Sequence, residues 1–210
     1  MPRFISSLAQ EYERLFATPA WVVGTGVSVF AVVFAYAINR IAGMHATALA
    51  PLGRSISDVL LDAIPRLDTA FIHTEAHLMA LITLCLLFVL PRYFPLTFIC
   101  LASIIVTRAV FINMTHLGLY KDATRIYGSF TTFGGDLFFS GHVAIPFILA
   151  LVFWDIRWMR YLYFFFMVLY GAAAVLGHYH YSIDIFAAPF IAYGVYRIVC
   201  RLFPQLVALL

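Results

Sequence analysis

A histidine and an aspartate stand four residues apart in the segment Gly177 to Phe186, G-H-Y-H-Y-S-I-D-I-F. On a helix that spacing puts both side chains on one face, so His180 and Asp184 can share a hydrogen bond. A carboxylate holding one ring nitrogen leaves the other as a base or nucleophile, although such a pair can equally be a satisfied structural contact. His178 is the rival nucleophile, but its partner position four residues on is Ser182, which brings no acid. A second polar segment is Gly134 to His142, G-G-D-L-F-F-S-G-H. Where a loop enters a helix, Ser140, Gly141 and His142 offer a hydroxyl, backbone N–H groups and an imidazole, a set able to cradle a phosphate. Asp136, just ahead of them, reads as a substrate-binding residue or as a helix cap.

These residues need elements to hold them, and the composition says what kind. Of 210 residues, 64% are apolar and 11% charged, with a mean hydropathy of +0.96. That is the composition of an integral membrane protein. A span takes about 20 mostly apolar residues, somewhat fewer where it starts in a polar vestibule. The expected fold is all-α, six transmembrane helices in one bundle: Trp21–Ile41, Phe71–Leu90, Phe94–Met114, Ser140–Ile156, Tyr161–Gly177 and Tyr181–Val199. Gly43 to Pro65 has room for a short interfacial helix. Residues 1–210 read as one domain, with 1–20 a surface amphipathic helix rather than a cleavable signal and 21–210 the catalytic bundle.

An even number of spans puts both termini on one side. Lys and Arg number seven on that side (Arg3, Arg14, Arg92, Arg157, Arg160, Arg197, Arg201) and six on the other, so the termini are expected in the cytoplasm. All seven histidines and most acids fall toward the opposite, non-cytoplasmic side. Ionisable groups within spans mark functional sites by default, and here they are Glu75, Arg108 and Asp184. Arg108 sits six residues from its span's end, roughly 9 Å deep. Glu75 reads either as a secondary acid or base facing the site or as a buried partner of Arg108 or a histidine. His73 and His77 are spaced to share a metal, but no third ligand stands at a suggestive spacing, so no metal is expected. Cys85, Cys100 and Cys200 lie in apolar runs and suggest neither disulfides nor zinc. The scattered basic residues give no footprint for nucleic acid.

With both segments at one membrane face, the chain resembles the lipid phosphatase/phosphotransferase superfamily of type 2 phosphatidic acid phosphatases. Within it the similarity is to the sphingomyelin synthase branch, whose C-G-D-x-x-x-S-G-H-T and H-Y-x-x-D-V elements compare with Gly134-Gly135-Asp136, Ser140-Gly141-His142-Val143 and His180-Tyr181-Ser182-Ile183-Asp184-Ile185. Arg108-Ala109-Val110-Phe111 and Pro65-Arg66-Leu67-Asp68 resemble two further segments of that branch. The phosphatases' K-x-x-x-x-x-x-R-P element is missing, and Ala173 and Ala174 stand where they carry an arginine, which makes simple phosphomonoester hydrolysis the lesser expectation. Gly134 and Val143 replace the branch's cysteine and threonine.

The resemblance implies a membrane enzyme that moves a phospho-head group, of the phosphocholine or phosphoethanolamine type, from a glycerophospholipid to ceramide, another alcohol or water. His180 oriented by Asp184 would be the nucleophile and His142 the general acid and base. Arg108, Ser140 and Gly141 would hold the phosphate, with Asp136 and Glu75 beside it. No cofactor is implied, and the partners are membrane lipids. A bacterial inner-membrane protein fits the compact length, and self-association stays open. The alternatives are a lipid phosphate phosphatase acting on phosphatidic acid, a sphingoid phosphate or an isoprenyl phosphate, and, in another class, an anion or proton transporter or binding scaffold. The chain shows no paired broken helices in two halves, as transporters often do.

Overall fold

The computed structural model describes residues 2–121, 123 and 137–210, apart from the side chains of residues 2–3 and 72–74, and among them it is all helical with no strand. Helix α1 (Pro2–Phe16) is amphipathic and leads into α2 (Pro19–Leu49), which is followed by the short α3 (Val59–Ala63), α4 (Phe71–Val89) and α5 (Phe94–Met114). After the link to residue 140 come α6 (Gly141–Val152), α7 (Arg157–Leu176), α8 (Ser182–Leu202) and the terminal turn α9 (Pro204–Val207). Four segments are long and apolar enough to cross a membrane: Pro19–Leu52, Pro91–Met114, Arg157–Leu176 and Ser182–Leu202. The other two expected spans are helices too, but their apolar stretches are shorter, Glu75–Val89 and Gly141–Val152.

The core is built around α6, whose Val143, Ala144, Ile148, Leu149, Ala150 and Val152 are buried among α5, α7 and α8. At about 1.5 Å per residue its 12 residues span about 18 Å, well short of the roughly 30 Å hydrocarbon core. The apolar run was expected to stay helical to Ile156, yet the helix stops at Val152. Phe153 turns out of it into the core, fully buried, with its ring centroid 5.0 Å from Tyr93 and 5.8 Å from Tyr163. Arg160 closes that turn by donating to the Trp154 carbonyl at 3.1 Å.

Helix α2 outruns its expected end at Ile41 by eight residues, because the Ala-rich continuation has its own packing partner. Ala42 and Ala46 sit against Ala109 and Ile112 of α5, small residues that let the two backbones approach closely. Asn113 of α5 ties the contact, donating to the Ala42 carbonyl at 3.3 Å and pairing with His45 Nδ1 at 2.6 Å. At the other end of α2, Trp21 Nε1 donates to Pro91 O at 2.8 Å and the Tyr12 hydroxyl to Phe88 O at 2.9 Å, so α1 docks on the α4–α5 turn.

Candidate active site

The site forms where the N-termini of α6 and α8 meet α5. Helix α8 begins at Ser182, so Asp184 falls in its first turn, where a carboxylate is favoured by the unpaired N–H groups. Asp184 is fully buried; its Oδ2 accepts from the Tyr181 N–H at 3.2 Å and stands 3.3 Å from Nδ1 of His180, itself only 7% exposed. The expected four-residue contact therefore exists, but not on one helix face: His180 lies in the bend ahead of α8 and only Asp184 is on the helix. Its other oxygen, Oδ1, is buried without a partner.

Ser140, the residue before α6, joins the two helix starts by donating its backbone N–H to the Asp184 carbonyl at 3.1 Å. Its own hydroxyl is buried and unpartnered. Arg108 reaches the same point from α5: its Nε donates to Phe139 O at 3.0 Å, and the guanidinium lies against Gly141. A Cβ at Gly141 would come within 3.4 Å of that Nε, so glycine here lets the cation lie against the helix start. The structure thus gathers His180, Asp184, Ser140, Gly141 and Arg108, contributed by three helices.

His142 is in the first turn of α6, half-buried, with its ring edge-on to Tyr170 at a centroid distance of 6.3 Å. Pro146 has no N–H to give, so the His142 carbonyl lacks its usual helical donor. Glu75 of α4 lies within electrostatic reach of Tyr170. The Tyr170 hydroxyl is buried with no partner. It is a site neighbour that the sequence does not announce, being one aromatic residue in an apolar helix. Asp136 lies outside the described residues, as does the side chain of His73. Among the described residues no three His, Cys, Asp or Glu side chains are grouped as a metal site needs.

A further acid supports the site from a distance. Asp58 is buried ahead of α3, and its Oδ1 accepts from the N–H groups of Leu60 at 3.0 Å and Leu61 at 3.2 Å. Its Oδ2 accepts from the Ser182 N–H at 2.7 Å, so one carboxylate caps both α3 and α8. Burial pushes the Asp58 pKa upward, but the hydrogen bonds from Ser182, Leu61 and Leu60 outweigh it and hold the group below its ordinary value. His178, by contrast, makes no hydrogen bond through its ring among the described residues and lies edge-on to Tyr120 at 5.3 Å.

The fold and site are those of an apolar, membrane-type helical protein in which a buried His–Asp pair stands beside an arginine and a helix N-terminus. Residues 134–201 match the family model described as PAP2 superfamily C-terminal, a stretch that includes Ser140, His142, His180 and Asp184. No curated protein and no solved structure matches the chain. The match supports an enzyme of the lipid phosphatase/phosphotransferase kind.

Proposed function

We propose that the protein is a lipid phosphotransferase that moves a phosphocholine- or phosphoethanolamine-type head group from a glycerophospholipid to ceramide or another alcohol, or to water. The observation that carries this reading is the His180–Asp184 contact at 3.3 Å, on the same platform as Arg108 and the start of α6. With Asp184 holding the proton on Nδ1, Nε2 keeps its lone pair for attack on phosphorus. The P–N bond forms as the P–O bond to diacylglycerol breaks, and His142 gives its proton to the departing oxygen. His142 then takes the proton of the acceptor hydroxyl, whose oxygen attacks phosphorus and expels His180. Arg108 and the N–H groups at Ser140 and Gly141 stabilise the non-bridging oxygens.

The family match also suits a lipid phosphate phosphatase. Against it, Ala173 and Ala174 are 3% and 0% exposed, so the positions where the phosphatases carry an arginine are packed core here. The two readings separate by product when purified protein is given a phospholipid panel with and without ceramide and the lipids are identified by mass spectrometry. The transferase releases diacylglycerol and keeps the head group esterified, or frees it whole when water accepts. Inorganic phosphate released from phosphatidic acid, with no diacylglycerol from phosphodiesters, would replace this reading by the phosphatase. In the same proposal the bundle has six spans, cytoplasmic termini and a site opening to the non-cytoplasmic face.

A further inference from the structure

At the end of the bundle opposite the His180 centre, the start of α2 meets the α4–α5 turn and the α9 segment. Trp21 Nε1 donates to Pro91 O at 2.8 Å, and Arg92 donates to Leu210 O at 3.2 Å. The segments Pro19–Leu52 and Pro91–Met114 both begin here, and each is long and apolar enough to cross a membrane. This end therefore lies at the level of lipid head groups. Between α1 and the turn is an open recess of about 430 Å³, lined by Gln10, Glu11 and Arg14 on one side and by Leu90 and Arg92 on the other. Gln10 and Arg14 are exposed, and among the described residues neither side chain has a hydrogen-bond or ion-pair partner. The guanidinium of Arg14 thus has all five N–H groups to give. Arg92 spends one amino group on Leu210 O and lies over the Tyr93 ring at 5.2 Å, which fixes its charge at the wall of the recess. One carboxylate, Glu11, stands in the lining against these two cations. The elements that meet at this end carry seven arginines against Glu11, Glu13 and Asp155, so the surrounding field is positive as well. Charge and free donors together favour an anion. Its source is the bilayer: Ile5 and Phe16 are exposed on the face of α1 opposite Arg14, and α4 runs down from Leu90 with Phe88, Leu84 and Leu81 exposed along one face.

We infer that this recess binds the head group of an anionic glycerophospholipid, its phosphate held by Arg14 with Gln10 and Arg92, at the end of the bundle away from the His180 centre. The planar fork of Arg14 can give two parallel N–H bonds to the phosphate oxygens, and Gln10 and Arg92 close on them from either side. A lipid seated there ties α1 to the α4–α5 turn, adding to the single hydrogen bond by which the Tyr12 hydroxyl already holds Phe88 O. The inference needs only that the long apolar helices cross a membrane, and does not depend on the phosphotransferase reading.

Trp21 stands beside the recess, its ring 6.4 Å from that of Tyr12 and 5.1 Å from that of Phe16, and can report what sits there. Replacing the exposed Trp154 and Trp158 by phenylalanine leaves it the one tryptophan, and His180→Ala keeps the probe lipid from being consumed. The full chain is placed in phosphatidylcholine vesicles containing a varied fraction of phosphatidylglycerol brominated on its acyl chains, or of phosphatidylcholine brominated in the same way. Bromine quenches tryptophan only at short range, so lipids that mix at random around the protein quench alike. Half-maximal quenching is expected at an about fivefold lower fraction of the brominated phosphatidylglycerol, the preference that one arginine confers at a membrane surface, and Arg14→Gln should remove that preference. Arg14 is exposed, so its exchange leaves the packing untouched, and Arg92→Gln gives a second readout. Equal quenching by the two lipids, or a preference unchanged in both variants, overturns the site. Relief of the extra quenching by inorganic phosphate, but not by chloride at the same ionic strength, would give the recess to a free anion and overturn the lipid.

Discussion

Exchanging Asp184 for asparagine isolates what its charge does. Asparagine can still accept the Tyr181 N–H, so the start of α8 is kept, while the imidazole loses the carboxylate that fixes its tautomer. Head-group transfer should fall by about 10²–10⁴-fold, the usual span for a lost acid–base partner, with the melting temperature little changed. A loss of folding without a separable loss of turnover would make Asp184 structural. The pair was legible in the sequence because the two residues are only four apart, although the helix assumed to align them starts at Ser182, after His180, and the contact comes from the chain entering α8 with Asp184 in its first turn. Arg108 was legible for a different reason, the cost of a cation inside a span. Tyr170 and Asp58 were not legible, since each acquires its meaning from a distant element: Asp58 caps a helix whose first residue lies 124 positions away.

At the scale of elements, that double cap is the joint between the α3 segment and the catalytic helix. Asp58→Ala removes the acceptor for three N–H groups and should cost about 1–2 kcal/mol, read as an earlier thermal melt in detergent. The Asp58 pKa is depressed in the fold, so its stabilisation is fully present above the ordinary carboxylate range and is lost as pH falls through the lowered folded value. Melts of the native protein should therefore weaken on the acid side, below about pH 5, with a slope that Asp58→Asn flattens. An unchanged slope would locate the acid sensitivity elsewhere. The α2–α5 seam offers an independent check: Ala46, 2% exposed, has no room for a larger side chain, and Ala46→Leu should cost about 1–3 kcal/mol by overpacking. Every expected span is a helix, because apolar runs of this length leave the backbone no other partner. What the sequence misplaced were the ends of α2 and α6, where packing of Ala42 and Ala46 extends one helix and burial of Phe153 cuts the other short, and the start of α7, which comes at Arg157 and not at Tyr161.

For the whole molecule, the arrangement that matters is which face of the membrane the site opens on. In a background with Cys85, Cys100 and Cys200 replaced by alanine, an impermeant maleimide applied to intact cells should label Ser55→Cys, on the site's side, and spare Arg157→Cys in the opposite turn. The reverse pattern would turn the proposed orientation over. The charge difference behind it is one residue, seven against six, so sequence alone argues it only thinly, and the clustering of histidines and acids at one end says where the chemistry is, not which face of the membrane that end meets. Which head group and which acceptor the site takes is the least legible property, because the groove walls come from many elements and no short spacing encodes them. The central claim, that His180 carries the phosphorus between donor and acceptor, can be measured directly. Protein mixed with head-group-labelled phospholipid, quenched within one turnover under alkaline conditions that preserve phosphohistidine, and digested for mass spectrometry should carry the head-group phosphate on His180, and His180→Ala should carry none. The adduct on His178, or sustained turnover by His180→Ala, would contradict the account.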